Sequence, residues 1–162
     1  MRMLAVIFEI LAVIFGTIAL FTANKLTPQI NFIKAMVSHY YEIDNCKKIF
    51  SILMSLCYVF NTIALFYYIG PMGLVFIFSL LSVVTNPYSK LHLVSSFLPF
   101  LLYGLASVIY RPLLLINYLP ILGLIYALYT YKKYRTNSVG LIMIVYSAAA
   151  LMLINILVVG KT

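Results

Sequence analysis

Glu9 stands alone as an acid inside an apolar run, "AVIFEILAVIFG". A carboxylate placed in hydrocarbon normally faces protein or water, and such a residue marks a functional site by default. Asn61, Tyr103, Asn117 and Asn155 also lie inside apolar runs. Counted at about 1.5 Å per helical residue from the N-terminal side, all five sit roughly 6–12 Å deep. Arg111 falls at the mouth on that same side. Glu9, Asn61, Tyr103, Arg111, Asn117 and Asn155 therefore form a candidate ligand or proton site in one half of a helix bundle. The competing reading is that the asparagines only join helices, each contributing about 0.6 kcal/mol.

A second constellation lies in "SHYYEIDNCKK", residues 38–48. His39, Glu42 and Cys46 are spaced by three and four, which places them on one helical face, and His92 is expected on the same membrane side. Together they have the donor types for a transition metal such as zinc. No CxxC or HExxH accompanies them, so a solvated interfacial loop is the expected reading, with no metal and no other cofactor. Cys46 and Cys57 make no metal or redox spacing, and no disulfide is expected. The sequence also lacks GxSxG, P-loop and GxGxxG motifs, and no second acid is placed to partner Glu9. Two histidines at different points of the path do not suit paired haem ligation. An enzyme is the least favoured class.

The elements that must position these groups follow from composition. Of 162 residues, 65% are hydrophobic and 9% charged, far too few charges to cover a water-exposed surface. The expected fold is all-α: a single-domain polytopic membrane bundle of about six helices with one short interfacial helix. Apolar runs place the spans at 3–22, 49–69, 72–86, 92–110, 113–131 and 138–159. Turn chemistry separates them at "GP" 70–71, "NPYSK" 86–90, "RP" 111–112 and "KKYRTN" 132–137. The third span is short, about 22 Å as an α-helix, and a re-entrant third segment would reduce the count to five. The first apolar run is long for a signal peptide and is interrupted by Glu9, so a retained helix is expected.

Charge and aromatic placement orient the bundle. The net charge of +8 is spread over short gaps between apolar runs, so lipid headgroups rather than nucleic acid are the expected partners. Arg2, Arg111 and Lys161 fall on one side. Lys25, Lys34, Lys47, Lys48, Lys90, Lys132, Lys133 and Arg135 fall on the other, which the positive-inside rule assigns to the cytoplasm. There is no tryptophan, so Tyr40, Tyr41, Tyr67, Tyr68, Tyr88, Tyr110, Tyr129, Tyr131 and Tyr134 are expected to form the interfacial belt. Ile30, Ile33, Met36, Val37 and Tyr40 recur at helical spacing and predict the interfacial helix. Asp44 or Asn45 is expected to cap the second span.

Spacing also predicts which faces turn inward. Arg2, Ala5, Glu9, Ala12, Gly16, Ala19 and Ala23 recur at alternating intervals of three and four, and small residues let helices approach closely in lipid. Ser51, Met54, Tyr58, Asn61, Leu65 and Tyr68 form the matching stripe of the second span, and Ser79, Ser82 and Asn86 that of the third.

The long first loop, the "GP" turn and "TNPYSKLHLVSSFLPFLLYG" resemble certain uncharacterised six-span bacterial membrane proteins, loosely similar to eukaryotic lipid-remodelling and autophagy-modulator membrane proteins. The resemblance draws attention to His92 and Ser96. Together these features predict a small protein of a bacterial inner (plasma) membrane, carrier-like or lipid-interacting, with its site around Glu9. The alternative is a structural or accessory subunit packed against other membrane subunits.

Overall fold

A computed structural model describes residues 2–28, 40, 43–86, 89–92, 94, 95, 98, 101, 102, 105, 118, 122, 125, 126, 129, 132 and 133. Among these residues the protein is all-helical, with no strand. Helix α1 spans Arg2–Leu26 and α2 spans Asp44–Ile69; a 3₁₀-helix follows over Gly70–Leu80, and α3 is a single turn, Leu81–Val84.

Helix α1 contains no proline and one glycine, so nothing interrupts its hydrogen bonding. It runs four residues beyond the expected end at 22. Lys25 stands in its last turn, where the unpaired carbonyls favour a cation. Thr27 then closes the helix by donating to the Ala23 carbonyl from both its backbone N–H, at 3.0 Å, and its hydroxyl, at 2.6 Å.

Helix α2 starts five residues before the expected 49, and neither Asp44 nor Asn45 caps it. The cap position is Ile43, in extended backbone without a side-chain bond. Its carbonyl accepts from the N–H groups of Cys46 and Lys47 at 2.9 and 2.7 Å. Asp44 instead occupies the first turn, where its charge complements the helix dipole. At the other end Gly70 adopts φ 71 and ψ −149, a region that essentially only glycine visits. Its N–H donates to the Phe66 carbonyl, and Pro71 prevents the α-helix from continuing.

The third segment is not the α-helix expected over 72–86. Its 3₁₀ stretch covers 11 residues, whereas such runs rarely exceed about four. In a 3₁₀-helix residues three apart eclipse one another. Gly73, Phe76, Ser79 and Ser82 follow that spacing and are all buried, while Leu74, Ile77, Phe78, Leu81 and Val84 face outward. The faster rise also lengthens the segment, to about 28 Å over Gly70–Val84. That approaches the hydrocarbon thickness of a bilayer, about 30 Å, which the same residues could not reach as an α-helix.

Helix α2 packs against α1 along one side and against the 3₁₀ segment along another. The α1–α2 pair is antiparallel. Phe15 stacks on Phe60 at 5.4 Å between ring centroids, and Phe8 lies between Phe60 at 5.9 Å and Tyr67 at 6.1 Å. Gly16 passes so close to α2 that a Cβ there would meet Cys57 Sγ at 3.1 Å. On the other side, a Cβ on Gly73 would run into the Leu65 and Phe66 backbone.

Burial in α1 is inverted relative to a water-soluble helix. Its inner face is Ala5, Glu9, Ala12, Ala19 and Ala23, whereas Met3, Ile7, Ile10, Ile14, Ile18 and Phe21 are exposed. An amphipathic helix in water keeps its large apolar residues inside. Small residues inside and large apolar ones outside is the arrangement of helices that meet in lipid. Both α1 and α2 are long and apolar enough to cross a membrane.

Two such helices, rather than six, are found among the described residues. The shorter apolar segment Gly73–Val84 is the third of the expected spans. Of the expected fourth and fifth, only scattered positions are described; Leu91, Val94, Leu98, Leu102 and Leu105, and later Leu122, Ile125 and Tyr129, are helical and exposed. The sixth, and the interfacial helix over residues 30–37, lie outside the described residues.

Candidate functional site

The inner face of α1 carries Glu9 into the contact with α2. Glu9 is 0% exposed, and neither carboxyl oxygen has a hydrogen-bond partner among the described residues. It lies within electrostatic reach of Cys57 on α2, whose thiol rests against the Gly16 backbone. Asn61 is one helical turn from Cys57 on the same face, is buried, and its Oδ1 also lacks a partner. Ser79, on the buried ridge of the 3₁₀ segment, carries a further orphaned oxygen.

Hydroxyls around these groups are satisfied locally, which sets the orphans apart. Thr62 Oγ1 donates to the Tyr58 carbonyl at 2.8 Å, and Ser95 Oγ to the His92 carbonyl at 3.1 Å. Such bonds to the preceding turn are how hydroxyls are accommodated in apolar surroundings. Ser82 Oγ donates to the Ser79 carbonyl at 2.6 Å and lies beside the Tyr58 hydroxyl. Glu9, Asn61 and Ser79 have no such local outlet. An unsatisfied buried polar group costs about 1–3 kcal/mol, and a charged one more. One such group stands on each of three successive segments, and each calls for an explanation.

His92 lies at the exit of the third segment. It is buried, its backbone N–H donates to Ser89 Oγ at 3.1 Å, and its ring bonds the backbone of Ser82 and Thr85, with Thr85 Oγ1 3.4 Å from Nδ1. His92 is thus held by the third segment and its exit turn. Cys46, the metal candidate on α2, is buried with a free thiol. His39 and Glu42 lie outside the described residues, and among those described no three His, Cys, Asp or Glu residues gather.

Of the six residues of the expected polar site, Glu9 and Asn61 are both buried in the α1–α2 region. Tyr103, Arg111, Asn117 and Asn155 lie outside the described residues, as does Ser96. Sequence reasoning overlooked Cys57 and Tyr58 as neighbours of the site, although both share the inward stripe of α2. It also assigned Tyr40 to the interfacial belt. Tyr40 is instead buried against Phe50, with ring centroids 5.3 Å apart and its hydroxyl unpartnered. Burial pushes its phenol above the ordinary value of 10.0, and the adjacent Cys46 adds to the rise. Tyr129, also expected in the belt, is exposed, with Lys133 Nζ 5.7 Å from its ring centroid. No family model, curated protein or solved structure matches the chain.

Proposed function

We propose that this chain is a small integral protein of a bacterial inner membrane whose Glu9 carboxyl is a ligand-exchanging group within the bilayer. On this reading the protein is carrier-like, and Asn61 shares the site. The observation that carries it is the fully buried carboxyl with no partner among the described residues. A group purely for structure would be expected to have found a donor, because a lone ionised carboxylate in hydrocarbon is costly. The inverted face distribution of α1 supports lipid as its solvent. The same exposed face also suits a neighbouring subunit's helix, which is the accessory reading; a detergent-corrected mass above one chain plus micelle would favour it.

A lipid-soluble carbodiimide tests the site directly, because it converts a neutral carboxyl in an apolar setting into a stable N-acylurea. Glu9 is expected to acquire the adduct in the wild type, and Glu9→Gln to unfold at nearly the wild-type temperature. If no adduct forms, and the loss of stability in Glu9→Gln is relieved by adding Arg111→Gln, the carboxylate is half of a structural pair and the proposal fails.

A further inference from the structure

We propose that the ligand exchanged at Glu9 is the proton, bound directly to a carboxyl oxygen in the α1–α2 contact; this rests on the reading of Glu9 given above. Room decides between ligands. Glu9 is 0% exposed, and no space the size of a water molecule touches either carboxyl oxygen. A metal ion with its ligand shell, or an organic solute, needs at least the volume of one water. A proton needs none, because it adds to an oxygen as an O–H bond. The same face is closed on both sides. Ala5 and Ala12, about one turn before and after Glu9, are buried, and the Gly16–Cys57 contact beyond them admits no Cβ without adjustment.

Charge agrees with room. Cys57 on α2 is the titratable group within electrostatic reach of Glu9. The other titratable groups of α2 between Ile49 and Tyr67 are the phenols of Tyr58, beside Ser82, and Tyr67, stacked on Phe8; none of the three is a cation. Arg2 and Lys25 stand at opposite ends of α1, and Asp44, Lys47 and Lys48 stand in the first turns of α2, nine or more residues before Cys57. The 3₁₀ segment carries no titratable side chain. Among the described residues nothing neutralises a Glu9 carboxylate where it sits, whereas a proton does. Carboxylate and proton combine to the neutral acid, and release regenerates the carboxylate with no electron transferred. The ionised form needs water or a counter-charge, for which the closed contact has no room. Release therefore requires α1 and α2 to part, so the proton is coupled to their contact: closed on the acid, opened for the carboxylate.

The test is infrared spectroscopy of the full-length protein in detergent at neutral and alkaline pH, in water and in deuterium oxide. A protonated carboxyl has a carbonyl stretch separate from the carboxylate bands and sensitive to deuterium. One such band is expected at neutral pH, absent in Glu9→Gln and also lost from wild-type protein blocked with carbodiimide, a control that requires no variant to fold. Alkaline pH should remove the band reversibly, and carbodiimide labelling of Glu9 should fall about tenfold per pH unit over the same range. Absence of the band at neutral pH overturns the proton assignment. If sodium or potassium then slows labelling relative to choline, exchange at Glu9 stands with a metal ion as its ligand; if neither does, both readings fall. A band that neither alkaline pH nor deuterium oxide alters makes Glu9 a permanently neutral structural group and overturns both as well.

Discussion

Replacing Gly73 by alanine is expected to pry the 3₁₀ segment away from α2. The added Cβ would lie 2.5 Å from the Phe66 backbone nitrogen and nearer still to the Leu65 carbonyl carbon, where ordinary contact begins at 3.4 Å, so the two backbones must separate by about 1 Å. Neither can yield locally, because the obstacle is main chain in the interior of α2. A gap of about 0.5–1 Å forfeits about a quarter to a half of a dispersion well. Phe76, buried one turn further along the same ridge, is the largest side chain affected. A buried side chain of that size makes on the order of 50 atom contacts of about 0.15 kcal/mol, so the loss is about 2–4 kcal/mol. The assay is dodecyl sulfate titration in mixed micelles, followed by far-ultraviolet circular dichroism. Leu74→Ala, at an exposed neighbouring position, is the control and should change stability by less than about 0.5 kcal/mol. A Gly73→Ala protein within about 0.5 kcal/mol of wild type would refute the close approach.

Gly16→Ala is milder, because its obstacle is the end of a side chain. About 1 kcal/mol of helix propensity is gained against about 1–3 kcal/mol of overpacking, so a small net loss is expected. That loss should vanish in a Cys57→Ala background, and strictly additive effects in the double-mutant cycle would contradict the contact. Tyr40 holds its proton more tightly folded than unfolded, so its contribution is constant below the unfolded pKa near 10.0 and is lost as pH rises beyond it. Alkaline destabilisation should therefore be shallower in Tyr40→Phe; superimposable pH curves would disprove the burial of the hydroxyl. For orientation, Cys46 is too buried to report, but Asn45 is exposed. Asn45→Cys in a cysteine-free background should label with an impermeant thiol reagent only after lysis, and labelling in intact cells would reverse the assigned sidedness.

The inward faces of α1 and α2 were legible because a 3.6-residue period needs only a ruler. Ala5, Glu9, Ala12, Ala19 and Ala23, and later Met54, Tyr58, Asn61 and Leu65, lie on the expected stripes and are buried; Gly16 and Ser51 of the same stripes are half-buried, and α2 also buries Cys46, Phe50, Cys57, Thr62 and Ala64. The third segment hid its geometry. Ser79 and Ser82 marked two positions of its inner face and are buried, but Asn86, expected on the same stripe, is exposed, and the strict period of three through Gly73 and Phe76 emerges only once burial is known. Gly73 reads as one more small residue until the α2 backbone is placed beside it. Tyr40 misled for a different reason: a tyrosine near a span end is amphipathic and suits an interface, but its partner Phe50 lies nearly two helical turns inside α2 and draws it inward. Of the polar site, Glu9 and Asn61 could be found by depth alone, because apolar surroundings make single polar residues conspicuous. Their lack of hydrogen-bond partners is a property of three dimensions.

A helix with threefold repeat also changes how its sequence can drift. Between Gly70 and Val84 a narrow ridge, Gly73, Phe76, Ser79 and Ser82, meets the rest of the protein. Exposed positions such as Leu74, Ile77, Phe78 and Leu81 can exchange among apolar residues with little effect, so tolerance should follow residue number modulo three. Insertions behave like frameshifts. One added residue turns everything beyond it by about 120° and presents a bulky neighbour where a glycine or serine had fitted, whereas three added residues restore the ridge and only lengthen it. The segment is thus permissive to substitution on two of its three edges and intolerant of any change in count that is not a multiple of three.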